Sequence, residues 1–185
     1  MPTVRIIILS YKRPDNVLQI VKAFEGHYPI TIINNNPNDN VRLPPIDPKS
    51  GKQYKTIDIV NNKLNLRCMD RWVRCFQYDE DFKLILDDDI LPSKTLVNKM
   101  LNLDQPIVGI YGKSGVSKAN SYLELKDYWC VDADVDFLVG SVILVKQNVL
   151  NLIKEKIINI GYPERGDDIL VSYWIKKALR INTLK

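Results

Sequence analysis

Three consecutive carboxylates, Asp87-Asp88-Asp89, follow the apolar run Lys83-Leu84-Ile85-Leu86 and precede Ile90-Leu91-Pro92-Ser93. The run has the length and composition of a buried strand, which places the acids at a strand end beside a core. Adjacent carboxylates in such a place raise one another's pKa unless something compensates them. A hard divalent cation is the expected compensator, because it takes oxygen ligands. Left with open coordination positions, such a cation is suited to hold a diphosphate.

Other apolar runs also stop in polar residues. Val4 to Leu9 stops in Ser10-Tyr11-Lys12-Arg13, Ile30 to Ile33 in Asn34-Asn35-Asn36, and Thr56 to Val60 in Asn61-Asn62, running on to Asn65 and Arg67. In an open α/β sheet, ligands sit beyond the carboxyl ends of the strands. Side-chain amides suit a base or ribose edge, an arginine fork suits a phosphate, and carboxylates suit a metal. Together these are the parts of a nucleoside-diphosphate site. Taken singly, the asparagines also suit ordinary turns, and Arg13 an ordinary surface. No GxGxxG follows the first run and no GxxxxGK[ST] occurs, which argues against dinucleotide and P-loop sites. A late acidic pair, Asp167-Asp168, precedes the last helical pattern; Asp168 can cap that helix, serve chemistry, or do both.

The elements that must position these groups follow from periodicity. Val17, Ile20, Val21 and Phe24 recur at helical spacing, and Gly26 closes that helix. The first third thus reads β-α-β, a parallel pair with a right-handed crossover. Residues 37–55, with Pro37, Pro44, Pro45, Pro48 and Gly51, read as a surface excursion. Met69, Trp72, Val73 and Phe76 form one helical stripe, and Asp79-Glu80-Asp81 reads as a solvated turn. Ser93 is the expected N-cap of a helix that turns Leu96, Val97, Met100 and Leu101 inward.

In the second half Ile107 to Tyr111 reads as a strand, Gly112 to Asn120 as a flexible polar loop and Tyr122 to Val135 as antiparallel ribbon. Gly140 to Val145 reads as a strand whose first residues, Gly140 and Ser141, either line the acceptor side or simply start it tightly. Val149, Leu150, Ile153 and Ile157 mark a helix; Ile169, Leu170, Tyr173 and Trp174 mark the last one. The expected architecture is a single α/β domain over 1–185, with a Rossmann-like β-α-β N-terminal half and a mixed central sheet. Residues 1–92 are the nucleotide-binding half and 93–185 the acceptor-side half.

Composition sets the outer bounds. At 185 residues, 45% hydrophobic and 26% charged, the chain can bury a substantial core. The net charge of +4 is spread rather than striped, which does not suggest nucleic acid. Cys68, Cys75 and Cys130 show no CxxC spacing. On a shared helix Cys68 and Cys75 would stand roughly 10 Å apart, too far for a disulfide. No run has the length of a membrane span. A cytoplasmic protein is expected.

The motifs resemble those of GT-A-fold glycosyltransferases, nucleotide-sugar enzymes with a DxD motif, and most nearly the exostosin-like branch, family 64. The resemblance lies in Tyr11-Lys12-Arg13, Asn34-Asn35, Asn62-Lys63-Leu64-Asn65-Leu66-Arg67, Leu86-Asp87-Asp88-Asp89-Ile90 and Asp167-Asp168-Ile169, in the family's order. It implies a single GT-A-type domain. It further implies that Ser10, Tyr11, Arg13, Asn34, Asn62, Asn65 and Arg67 hold uracil, ribose and diphosphate. Asp87 and Asp88 would face the nucleotide and sugar. Asp89 would ligate Mn2+ (or Mg2+) directly, with Asp87 beside it. Asp168, with Asp167, would sit by the acceptor and act in catalysis.

The implied reaction moves a sugar from a UDP-sugar to a hydroxyl of a carbohydrate or glycoconjugate acceptor, retaining or inverting. Many relatives add a late histidine to the metal. Here the only histidine is His27, in a turn, so water or carboxylates are expected to complete the shell. Relatives also carry a membrane anchor and a longer C-terminal part, so a small acceptor site, or one completed by a partner, is expected. Two other classes remain open at this stage: a sugar-nucleotide pyrophosphorylase, although no glycine-rich loop follows the first strand, and a catalytically silent nucleotide-binding module.

Overall fold

The computed structural model describes residues 2–43, 56–119, 121–129 and 132–185. Most of the excursion expected over 37–55 lies outside these residues, as does Cys130. Four strands run parallel: β1 (Val4–Ser10), β2 (Ile30–Asn34), β3 (Ile57–Asn61) and β4 (Phe82–Asp87). They form a six-stranded sheet with β5 (Ile107–Gly109) and β9 (Val142–Lys146), in the order β3-β2-β1-β4-β9-β5. Only β9 runs opposite to the other five strands.

Alternate residues of the central strands serve opposite faces, and both faces are covered. Ile6 and Ile8 pack with Val17, Ile20, Val21 and Phe24 of α1 (Pro14–Phe24) and with Val97 and Met100 of α3 (Lys94–Asn102). Ile7, Ile33 and Ile85 pack with Met69 and Trp72 of α2 (Met69–Arg74). The same cluster takes Val149 and Ile153 of α4 (Gln147–Asn159), and Val171 and Ile175 of α5 (Asp167–Leu179). Two-sided burial is why the strands read as unbroken apolar runs. Each such isoleucine contributes about 1.5–3 kcal/mol by leaving water.

Four expectations are corrected. The acidic 79–81 segment is solvated at Asp79 and Asp81 but is more than a turn: Glu80 accepts from Arg5 at 2.9 Å and Asp81 from the Thr3 amide at 2.8 Å. These bonds staple the start of β4 to that of β1. The strand expected over 107–111 divides instead at Ile110, where the chain passes to a second sheet. There β6 (Tyr111–Ser114) lies between β7 (Lys126–Trp129) and β8 (Phe137–Leu138), so the expected loop from Gly112 begins as strand. Gly112 belongs there because a Cβ would stand 2.6 Å from Val135.

Asp168 does not cap the last helix; Gly166, in a left-handed conformation at φ 79, precedes Asp167 as its N-cap. The buried residues of α5 are Asp167, Val171, Ser172 and Ile175, while Ile169 and Tyr173 face outward. The helix has apolar residues on every side, so its pattern does not choose a face. Packing on α4 and β8 does. Beyond it, Leu184 bridges Val135, and the Gly109 amide of β5 donates to the Lys185 carbonyl at 3.0 Å. Among the described residues no helix is long and apolar enough to cross a membrane.

Candidate active site

Sheet register brings the polar strand ends to one edge. Ser10 pairs with Asn34, Asn34 with Asn61, and Leu9 with Asp87. The loop after β1 closes directly on the acidic turn after β4. Asp88 is buried there, accepting from the Tyr11 amide at 2.8 Å and from Arg13 Nη1 at 2.9 Å. The same Nη1 donates to Asp89 at 3.0 Å, and both Arg13 and Asp89 keep half their side-chain surface exposed. Asp87 answers to a different arginine, Arg71 Nη1, at 2.5 Å.

Two guanidinium groups thus offset part of the triplet's charge, and one of them, Arg71, is shared with Asp167. Arg13 and Arg71 therefore supply part of the compensation that the spacing of these acids calls for. Burial nonetheless pushes the Asp87 carboxyl up to about 6, helped by Asp89, Asp167 and Asp88 and opposed by Arg71.

Arg71 is itself buried. It donates from Nε and Nη2 to Asp167 Oδ2, at 3.2 and 2.9 Å, and from Nη1 to the Gly140 carbonyl at 3.1 Å. Trp72 Nε1 adds a third donor to the same Asp167 oxygen at 2.8 Å. Asp167 therefore lies behind the site, its Oδ2 taken by three donors. Asp168 stands partly exposed, accepting from the Gly140 amide and its own neighbour Ile169, both at 2.9 Å. Burial, then the charge of Asp167, raises the Asp168 carboxyl above the usual carboxylate range.

The asparagines mostly build the floor. Asn34 is buried and donates to the Asp39 carbonyl at 2.6 Å and to Asn61 Oδ1 at 2.9 Å. Asn62 donates to Asn35 Oδ1 and to the buried Asp70, at 2.7 and 2.6 Å. Asn35 reaches the Arg67 carbonyl at 2.7 Å, bringing that segment to the edge, and Asn65 Oδ1 holds the Arg67 amide at 2.9 Å. The Arg67 side chain stays half exposed, 3.9 Å from Glu164. Ser10 is buried, and its hydroxyl has no hydrogen-bond partner among the described residues.

A groove of about 610 Å³ runs from Ile169, the chain neighbour of Asp168, past Tyr173 and Lys176 to Tyr122, Asp136 and Phe137. Of the expected site residues, Ser10, Tyr11, Arg13, Asp87, Asp88 and Asp89 meet at one edge, and Asp167 and Asp168 join them through Arg71 and Gly140. Asn62, Asn65 and Arg67 flank this group, while Asn34 lies in its floor.

Solved structures supply the outside view. S. aureus TarS (residues 1–349) superposes with a TM-score of 0.54 at 14% identity, over 99% of this chain and 56% of that one. Bifunctional IspDF from Campylobacter jejuni gives 0.53 at 16% identity, over 92% and 47%. The fold is of the GT-A type. The apo-form glycosyltransferase GlyE of Streptococcus pneumoniae TIGR4 gives 0.52 at 13% identity, over 96% of this chain and 44% of that one. The chain spans about half the length of these GT-A-like neighbours. No protein-family model and no curated protein sequence matches it.

Sequence reasoning missed Arg71 and Asp70. Their one signal is charge inside an apolar helical stretch: Asp70-Arg71 stands between Met69 and Trp72, where a solvated face would not put it.

Proposed function

We propose that the chain is a metal-dependent glycosyltransferase that moves a sugar from a UDP-sugar to a hydroxyl of a carbohydrate or glycoconjugate acceptor. The observation that carries this reading is the meeting of Tyr11–Arg13, the Asp87–Asp89 turn and Asp168 at the carboxyl edge of a GT-A-type sheet. Asp89 and Asp87 offer oxygen donors of the kind Mn2+ or Mg2+ takes, at 51% and 34% side-chain exposure. Among the described residues no group of three Asp, Glu, His or Cys forms a metal-holding cluster, so diphosphate oxygens and water would complete the shell. Such a cation, when bound, neutralises charge on the departing diphosphate.

The chain's own groups do the rest. Arg13, half exposed, can turn from Asp89 to a phosphate without breaking the core, and its planar fork suits that partner. The Tyr11 amide holds Asp88, which fixes the turn carrying Asp87 and Asp89. In this reading Asp168 faces the sugar; its raised pKa suits it to take the acceptor hydroxyl's proton, and as a carboxylate it would stabilise positive charge at the anomeric carbon. The groove beside it, with Tyr122 and Tyr173 rings, would receive the acceptor. The free thiols Cys68 and Cys75 suit a reducing compartment such as the cytoplasm.

The test is a panel of nucleotide sugars with Mn2+, scored by UDP release. Turnover of a UDP-sugar, with Mn2+-dependent thermal stabilisation by UDP that disappears in Asp89→Ala, is the expected result. Preference for a nucleoside triphosphate plus a sugar phosphate would assign a pyrophosphorylase instead. Binding with no slow hydrolysis of any UDP-sugar would assign a silent module.

A further inference from the structure

We propose that Arg71 is the positioning residue that sets the donor-side acids against the acceptor-side acid, through one buried guanidinium shared by four segments. This rests on the glycosyltransferase reading. Arg71 comes from α2, Asp87 from the end of β4, Gly140 from the turn before β9, and Asp167 from the first turn of α5. The guanidinium, 3% exposed, joins all of them.

Gly140 makes the connection mechanical. Its carbonyl accepts from Arg71 while its amide donates to Asp168. Arg71 therefore grips Asp168 twice, through Asp167 next to it in the chain and through Gly140 opposite it. The same group holds Asp87, whose turn carries Asp89. Moving the guanidinium would shift the two acidic segments relative to each other.

Two physical points separate this from ordinary structural pairing. A buried ion pair is weak support for stability, since apolar residues of similar size often serve as well or better. What it supplies here is geometry: three acceptors from different segments held on one rigid plane. Lysine cannot reproduce that, being a single point of charge on a flexible stem. A Cβ at position 140 would overlap the Arg71 guanidinium, which would have to shift to admit it. Gly140→Ala thus displaces Arg71 without removing it.

The experiment compares the parent chain with Arg71→Lys, Arg71→Met and Gly140→Ala. UDP affinity is read by calorimetry with Mn2+, kcat and KM from UDP release, and folding from circular dichroism. A misplacement near 1 Å in a reacting constellation costs about a hundredfold in rate. We expect folded variants to lose about that factor in kcat and about tenfold in UDP affinity. Arg71→Lys gives no rescue, and Gly140→Ala behaves like Arg71→Met. A purely structural Arg71 would lower the folded fraction and leave the KM and UDP affinity of the folded molecules unchanged; that result overturns the proposal. So does a folded Gly140→Ala with parental kcat, which decides the matter if the Arg71 variants do not fold. A parent chain that neither binds UDP nor releases it from any UDP-sugar overturns the glycosyltransferase reading first, and this inference with it.

Discussion

Replacing Asp168 by asparagine separates chemistry from support at the proposed acceptor-side acid. Both carboxylate oxygens accept from backbone amides, those of Gly140 and Ile169, each at 2.9 Å. Asparagine satisfies one and turns its NH2 on the other. Losing a charge-assisted bond costs about 1.5–3 kcal/mol. Part of this is offset because the variant no longer buries a charge, and burial already raises the carboxyl's pKa. A net cost of about 1 kcal/mol lowers Tm by about 2–4 °C for a chain of this size. Against a typical stability of about 5–15 kcal/mol the variant stays folded. Loss of proton transfer, by contrast, costs about 10²–10⁴ in rate, or roughly 3–5 kcal/mol of barrier. The two effects therefore differ enough to read apart. UDP release at saturating donor should fall at least a hundredfold while calorimetric UDP affinity stays near the parent's. In the parent, turnover should fall with acidity above the ordinary carboxylate range, because Asp168 protonates early. If Asp168→Asn turned over within threefold of the parent, the catalytic role would be refuted and Asp168 left as a clamp on Gly140.

Three outcomes concern stability and reactivity away from the acids. Burial alone would raise the Glu80 carboxyl, but the hydrogen bond and charge of Arg5, with Lys83, hold it below its ordinary value. Its contribution to stability is therefore complete above the unfolded pKa of about 4.3 and is lost as pH falls through the lower folded pKa. Arg5→Met should flatten that acid limb in urea melts taken between pH 7 and 3. Burial pushes the Cys75 thiol up to about 12, so in native protein at pH 8 peptide mass mapping should find Cys75 unmodified by a thiol reagent that labels it after unfolding. Ser93→Ala removes the acceptor for the Leu96 amide, 3.1 Å away, and should cost about 1 kcal/mol, seen as a drop in Tm of a few degrees.

The parallel half was legible because its signals are local. Ile6 to Leu9, Ile30 to Ile33 and Leu84 to Leu86 are buried on both faces, so each reads as a strand without knowledge of its partner. Polar residues follow each run, and one topological rule about strand ends then places them together. In the second sheet β7 falls inside the antiparallel ribbon expected over 122–135, but β6 was not legible because Tyr111-Gly112-Lys113-Ser114 has little strand propensity of its own; pairing on both sides and the close approach of Val135 make it a strand. In α5 the apolar residues surround the axis, so the inward face waits on tertiary packing. The triplet at 87–89 was found, but its compensation by Arg71 was not. Nothing in local spacing says that a helical arginine 16 positions earlier will lie beneath the strand end. Asp167 and Asp168 looked equivalent in sequence, and only burial separates the engaged carboxylate from the available one.

The pairing of Gly109 with Lys185 has a consequence for self-association. β5 is the outermost strand of the six, and an uncovered margin there would offer unpaired amides and carbonyls to another molecule. The last residues lie along that margin like a hem, fastened through Leu184 on Val135 and Lys185 on Asp132. Deleting residues 181–185 would bare the Gly109 amide on that border and leave it open to lateral pairing with another chain.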